Sequence, residues 1–328
     1  LGFGFVHVID TMLSEKGLSQ LTQQIVHTMN DLIDALLQEA SVKPNEVYEM
    51  VTVGNATMQH ILLGLDPEAI GVSPFTPVVE DMVQVHANDI GLNILPQAQI
   101  HLLPSLGAYV GADLVGGLLA TGLAQKEEIS MLVDVGTNGE IILGSTARTV
   151  ATAAPAGPAF EGAQIKDGML ASDGAIEAVT ITGNEVRTKV IGDVPPLGLC
   201  GSGLVDVVAQ LILSGLILPS GKLLNIEDAR AQVSPELAQR IVTDDDGMRA
   251  FTLAWPEESG NPQAIVLTQR DIRELQFAKG SIAGGIQVVM RELGIDTEDL
   301  VEIYLAGSFG SYMNPQSARI IGLVPPIA

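Results

Sequence analysis

Met131-Leu132-Val133-Asp134-Val135-Gly136-Thr137-Asn138-Gly139-Glu140-Ile141-Ile142-Leu143 reads as an apolar strand, a short turn of small and polar residues, and a second apolar strand. A turn so rich in Gly, hydroxyl and amide groups does not serve a core. Glycines at 136 and 139 allow positive φ and a close backbone approach to a ligand. Successive backbone N–H groups in such a turn can converge on phosphate oxygens. Asp134, where the first strand ends, is placed to hold magnesium or orient a water. An ordinary β-hairpin with an Asn-Gly turn fits the same letters, and the stretch alone leaves both readings open.

Composition narrows the classes around it. A chain of 328 residues suits one large domain or two lobes, and 47% hydrophobic residues supply a sizeable core. Aromatics are scarce and Gly frequent, as in tightly packed α/β folds with Gly-rich ligand loops. The formal charge of −23 argues against nucleic acid as a partner, since phosphate binding needs clustered Lys and Arg. Cys200 is the single cysteine, which rules out an internal disulfide framework or a cysteine-ligated cluster and points to a reducing, cytoplasmic compartment. The apolar runs at 114–124 and 211–219 are too short or too Gly-broken to span a membrane, so no membrane partner is expected. The chain opens on apolar Leu1-Gly2-Phe3-Gly4-Phe5 and closes on Val324-Pro325-Pro326-Ile327-Ala328, and both ends read as cut, as in a fragment.

Periodicity predicts a helix over 18–40, with Leu21, Ile25, Met29, Leu32, Ile33, Leu36 and Leu37 on one face. A strand over 47–53 leads through Gly54-Asn55-Ala56-Thr57 into a helix over 58–65. After an irregular Pro-rich stretch come a strand at 100–103 and a small-residue helix at 108–123. The 131–143 hairpin opens the second half, followed by a Gly/Ala/Pro loop at 153–168 and antiparallel strands about Gly183-Asn184. The Gly loop 197–203 feeds a helix from 204 to about 218. Residues 219–264 suggest a helix or two and a hairpin around the acidic run 244–246. Thr268 reads as the N-cap of a helix reaching Leu293, and a strand at 300–305 precedes Ala306-Gly307-Ser308-Phe309-Gly310 and a helix at 315–321.

Three elements repeat one pattern of apolar strand, Gly-containing loop, then hairpin or helix, at 51–58, 132–141 and 301–312. Together they suggest a nucleotide held by loops at strand ends. The loop Gly198-Leu199-Cys200-Gly201-Ser202-Gly203 could bind an anion or activate a thiol, but a nucleophilic Cys200 needs a histidine base. All five histidines (7, 27, 60, 86 and 101) lie in the first third, so packing of this loop against nucleotide or core is the better reading. A calcium loop starting at Asp134 fails because Ser145 stands where its twelfth-position Glu belongs. Gly221-Lys222 is no P-loop, because Leu223 replaces Ser/Thr.

The order of these segments resembles the actin-like ATPase superfamily of actin, sugar kinases, acetate kinases and heat-shock chaperones. Residues 133–141 resemble its phosphate 2 motif, 51–62 connect 1, and 303–310 the adenosine motif. Within it, VTVGNATMQHILLG (51–64), LVDVGTNGEIILG (132–144), AAPAGPAFEGAQI (153–165), GLCGSGLVD (198–206), LTQRDIRELQFAKGSIAGGI (267–286) and YLAGSFGSYM (304–313) are similar to ATP-dependent reductive activators of corrinoid proteins, a group that includes ferredoxin-like proteins.

That resemblance implies an α/β, actin-like (ribonuclease H-like) fold of two lobes truncated at both ends. Residues 1–125 would be the remainder of the first lobe with connect 1, and 126–328 the second lobe with phosphate 2 and adenosine motifs. It implies ATP and magnesium as cofactors, with Asp134 as magnesium and catalytic residue and Glu161 reaching the ribose or metal, unless Glu161 merely caps a neighbouring turn. Gly54, Asn55, Gly136, Thr137, Asn138, Gly139, Gly201, Ser202, Gly307, Ser308 and Gly310 would line the nucleotide, although Ser308 stands where the family usually has Gly. The implied partner is a corrinoid protein whose cobalt is taken from Co(II) to Co(I), and the implied assembly is a homodimer. A two-iron two-sulfur cluster is expected only in an N-terminal ferredoxin domain outside this chain. The phosphate 1 and connect 2 segments are also expected outside it, so the fragment should bind ATP weakly or not at all. A small-molecule kinase of the same fold and a non-catalytic dimerisation and docking module are the alternatives.

Overall fold

The computed structural model describes residues 17–244 and 247–327. The apolar opening at 1–5, His7, and Asp245 and Asp246 of the acidic run lie outside them. The chain divides into two compact units that meet in sequence at Gln125 and Lys126.

In the N-terminal unit, helix α1 (Gly17–Ala40) precedes strand β1 (Glu49–Thr52), helix α2 (Ala56–Leu62), strands β2 (Val83–His86) and β3 (Gln99–Leu102), and helix α3 (Ala112–Thr121). The sheet has the order β1-β3-β2, with β1 parallel and β2 antiparallel to β3. Ile25, Val26, Met29 and Ile33 of α1 pack on a core of Leu62, Ile94, Ile100 and Leu102. Leu32 and Leu36, expected on that face, are 60% and 64% exposed. The expected apolar stripe is wider than the small sheet beneath it, so only its centre is covered. His60 is buried, its Nδ1 hydrogen-bonded to the Ala56 carbonyl at 2.7 Å while Nε2 accepts from the Val78 amide at 2.9 Å. That pattern gives the ring a structural role, tying α2 to the segment before β2.

The C-terminal unit is built on β4 (Ile129–Val135), β5 (Asn138–Gly144) and β6 (Thr149–Pro155). A second sheet follows, from β7 (Ala175–Thr182), β8 (Glu185–Val190) and β9 (Gly198–Leu199), with helix α4 (Gly201–Leu213) lying against it. Strands β10 (Ile241–Thr243), β11 (Arg249–Ala254) and β12 (Ile265–Thr268) form an antiparallel set. Helix α5 (Gln269–Leu293), strand β13 (Leu300–Ala306) and helix α6 (Pro315–Ile321) complete the unit. The main sheet has the order β13-β4-β5-β6, in which only β13 and β4 are parallel.

Strand β6 takes in Ala153–Pro155, expected as loop, because these residues complete the ladder to Asn138–Glu140. Helix α4 begins at Gly201 instead of Leu204 and ends at Leu213, after which Gly215 takes the left-handed conformation that helix interiors exclude. Thr268 caps α5 as expected, its hydroxyl accepting from the Asp271 amide. Met131, Val133, Val135, Ile141 and Leu143 lie in the main core with Ile282 and Ile286 of α5. The opposite face carries buried Leu132 and Ile142 and, at its upper end, Asp134 and Glu140. Among the described residues no helix is long and apolar enough to cross a membrane.

Candidate nucleotide site

The expected hairpin forms, but its turn is not Asn-Gly. Val135 pairs with Gly139 and Asp134 with Glu140, so the hairpin is centred on Thr137 and draws Asn138 and Gly139 into β5. Neither Gly136 nor Gly139 takes a positive φ. The Gly136 amide donates to the Asn138 carbonyl at 2.9 Å inside the turn. Gly139 is small for a different reason than ligand approach: any side chain there would collide with Ile282 of α5.

Asp134 stands in a row across the sheet, Ala306–Asp134–Glu140–Ala153. Directly opposed residues of an antiparallel pair share a face with Cβ atoms about 5 Å apart, so the two half-buried carboxyls are neighbours with an alanine on either side. On the β13 side, Gly307 has φ +88° and lies against Asp134 Oδ1, and a Cβ there would also stand 2.7 Å from the Val135 carbonyl. A Cβ at Gly310 would reach Val135 at an ordinary contact distance. The phosphate 2-like hairpin and the adenosine-like loop therefore meet at the C-terminal ends of the parallel pair β4 and β13. In open α/β sheets ligands collect at such an edge. Glu140 was missed from sequence; placing the turn at Thr137 would have put it opposite Asp134. The Ser308 side chain falls outside the described residues.

Glu161 closes a four-residue 3-10 turn, Pro158–Glu161, and accepts a hydrogen bond from the Thr137 hydroxyl. The Gly157 amide donates to the Thr137 carbonyl at 3.0 Å, so the turn is fastened to the hairpin twice. Gly201 lies so close to the Phe160 carbonyl that no side chain fits, and Gly203 is held likewise against the Ile176 carbonyl. The Ser202 hydroxyl donates to the Glu177 carbonyl at 2.8 Å. Cys200 is buried with its Sγ 3.3 Å from the Ile176 carbonyl, in a unit whose sequence contains no histidine. These contacts account for the Gly198–Gly203 stretch as backbone packing beside the Glu161 turn.

Gly54 and Asn55 lie in the N-terminal unit. Asn55 caps α2, its side-chain oxygen accepting from the Met58 amide at 2.9 Å, and the Gly54 carbonyl accepts from Ala112 at 3.1 Å. Beside them Asp113, which no motif marked, sits where burial pushes its carboxyl above the usual range against the pull of the Leu114 amide. Burial likewise raises Asp206 of α4, opposed by the Ser317 hydroxyl and the Val179 amide, and among the described residues its buried Oδ1 has no hydrogen-bond partner. Among the described residues no group of three or more His, Cys, Asp or Glu side chains could hold a metal. The donor set at Asp134 and Glu140 is two carboxylates, which suits a magnesium ion that keeps most of its waters.

Comparison with known proteins matches residues 128–328 to the C-terminal domain of RACo, the ASKHA domain, and residues 6–126 to the RACo middle region. The corrinoid activation enzyme RamQ of Eubacterium limosum is 34% identical over 312 residues, covering 95% of this chain and 52% of that protein. The [Co(II) methylated amine-specific corrinoid protein] reductase of Methanosarcina barkeri is 28% identical over 265 residues, covering 73% of this chain and 42% of that protein. Among solved structures, a reductive activator for corrinoid, iron-sulfur protein superposes with a TM-score of 0.82 at 38% identity over 98% of this chain and 50% of its own. The chain thus spans about half the length of the relatives it matches.

Proposed function

The chain belongs to the RACo family, and from that premise we propose that it is the nucleotide-binding portion of an activator that returns the cobalt of a corrinoid protein from Co(II) to Co(I). The observation that carries this reading is the meeting of Asp134, Glu140 and Gly307 at one strand edge. Asp134 and Glu140 would hold magnesium through its waters. Gly136, Thr137 and Asn138 would face the phosphates, and Gly307, Ser308 and Gly310 would border the adenosine. Glu161, held by Thr137, would orient a water or a ribose hydroxyl. Magnesium ATP, when bound, supplies the free energy that an uphill one-electron reduction needs. Gly139, Gly201 and Ser202 support these groups from behind, through Ile282, Phe160 and Glu177. The one cysteine does not suit an iron–sulfur cluster, so the electron would reach the corrinoid from a ferredoxin-like part of the longer protein.

Calorimetric titration of the full-length protein with magnesium ATP and ADP tests the site. Asp134→Ala is expected to weaken ATP binding at least tenfold and to abolish ATP-dependent appearance of the Co(I) absorption of an added corrinoid protein. Unchanged ATP affinity in that variant would overturn the assignment. Full-length protein that binds no nucleotide would favour a docking module instead.

A further inference from the structure

We infer that Asp271, at the start of α5, is a positioning residue that holds Glu161 in register with Thr137; the functional part of this inference rests on the reading of Glu161 as a site residue. Asp271 is 1% exposed. One carboxylate oxygen accepts from the Thr268 amide at 2.7 Å, closing the capping box of α5. The other accepts from the Lys166 amide at 2.9 Å, a contact that capping does not require. Lys166 belongs to the loop that runs on from Glu161. That loop is pulled tight on itself: the Gly168 amide donates to Ile165 and the Ile165 amide to Gly162, and Gly168 lies so near the Gly162 carbonyl that no side chain fits. The neighbouring Asp167 accepts from the Val266 amide at 2.7 Å, so the loop is pinned to both β12 and α5.

The same helix braces the other half of the contact. Ile282, three turns further along α5, packs on Gly139 of the hairpin that carries Thr137. The donor and acceptor of the Thr137–Glu161 bond are thus each fastened to one rigid helix, Thr137 through Gly139 and Glu161 through Lys166 and Asp271. A side chain that must hold a productive position needs such support, because displacements near 1 Å cost rate steeply. The carboxylate is required at 271 because an amide offers a single acceptor oxygen, so Asn would satisfy the Thr268 or the Lys166 amide but not both.

The test compares Asp271→Asn, Thr268→Ala and Glu161→Gln in the full-length protein, by hydrogen exchange and by ATP turnover. Thr268→Ala weakens the cap of α5 and leaves the Asp271–Lys166 bond intact. Asp271→Asn is expected to speed exchange at the amides of 162–168 at least tenfold and to lower kcat about tenfold with KM for ATP within twofold, while Thr268→Ala leaves both at parent values. Equal loop exchange in the parent and Asp271→Asn, or equal loosening in Asp271→Asn and Thr268→Ala, would reduce Asp271 to a helix cap and overturn the inference. Unchanged kcat in Glu161→Gln would instead remove Glu161 from the site, and the exchange data would still decide what Asp271 holds.

Discussion

Gly307 carries two constraints in one residue: a positive φ, and the Asp134 carboxyl standing where a side chain would begin. Gly294 has a positive φ but open space around it. An alanine at 294 meets only the left-handed backbone cost, about 1 kcal/mol. Gly307→Ala should cost about 2–3 kcal/mol by denaturant titration, and a cost no greater than that of Gly294→Ala would mean that Asp134 moves freely. Asp206 offers a second test. Its folded pKa is raised by burial, so its contribution to stability is present below the unfolded pKa and lost as pH rises through the folded one. Asp206→Asn should raise the melting temperature at pH 8 by a few degrees while changing little near pH 4. A variant less stable than the parent at pH 8 would show that the charged form is favoured in place. Neither residue could be weighted from sequence: the Gly-rich letters marked Gly307 as a loop residue, but its neighbour Asp134 comes from a distant strand, and nothing local distinguishes Asp206 from any helical aspartate.

Helix α5 is the element that ties the candidate site together. Its extent and its Thr268 N-cap were legible because capping and helix termination are local, while the reciprocal bond from Asp271 emerged only in the structure. Its partner was not: Gly139 looked like a ligand-facing glycine and proves to be the slot for Ile282. Ile282→Ala should destabilise by about 3 kcal/mol through the cavity it leaves. Gly139→Ala should destabilise by collision, and the double variant should be less destabilised than the sum of the two, since the smaller 282 side chain makes room for the methyl group. Strict additivity in the double-mutant cycle would mean that the two residues do not touch. Helix α1 shows the opposite case, in which periodicity over-promised. Leu32→Gln on its exposed flank should change stability by no more than about 0.5 kcal/mol, whereas Ile33→Ala, packed on the core, should cost more than 1 kcal/mol in the same titration.

Across the whole molecule, 39 acidic against 16 basic residues set a repulsive background. Folding concentrates these charges, so added salt should stabilise the protein by screening: calorimetric melting temperatures should rise between 10 and 150 mM sodium chloride, where the screening length falls from about 30 to about 8 Å. A melting temperature that falls over this range would point to attractive ion pairs outweighing the net charge. The long helices over 17–40 and 269–293, the Thr268 cap, the 131–143 hairpin and the Gly-rich loops were legible in the sequence, because periodicity, capping and turn chemistry act over a few residues, whereas the edge strand at 83–86 carried no such local signal. The acidic balance and the exclusion of a cysteine-ligated cluster within this chain also followed from composition. Only the tertiary structure decided that Asp134 stands between Glu140 and Gly307, that Glu161 is fastened to Thr137, and that Gly139, Gly201 and Gly203 serve packing. Those relations depend on strand register and on helices laid across sheets. Register and helix placement are set by the joint burial of side chains far apart in the chain, which no local pattern encodes.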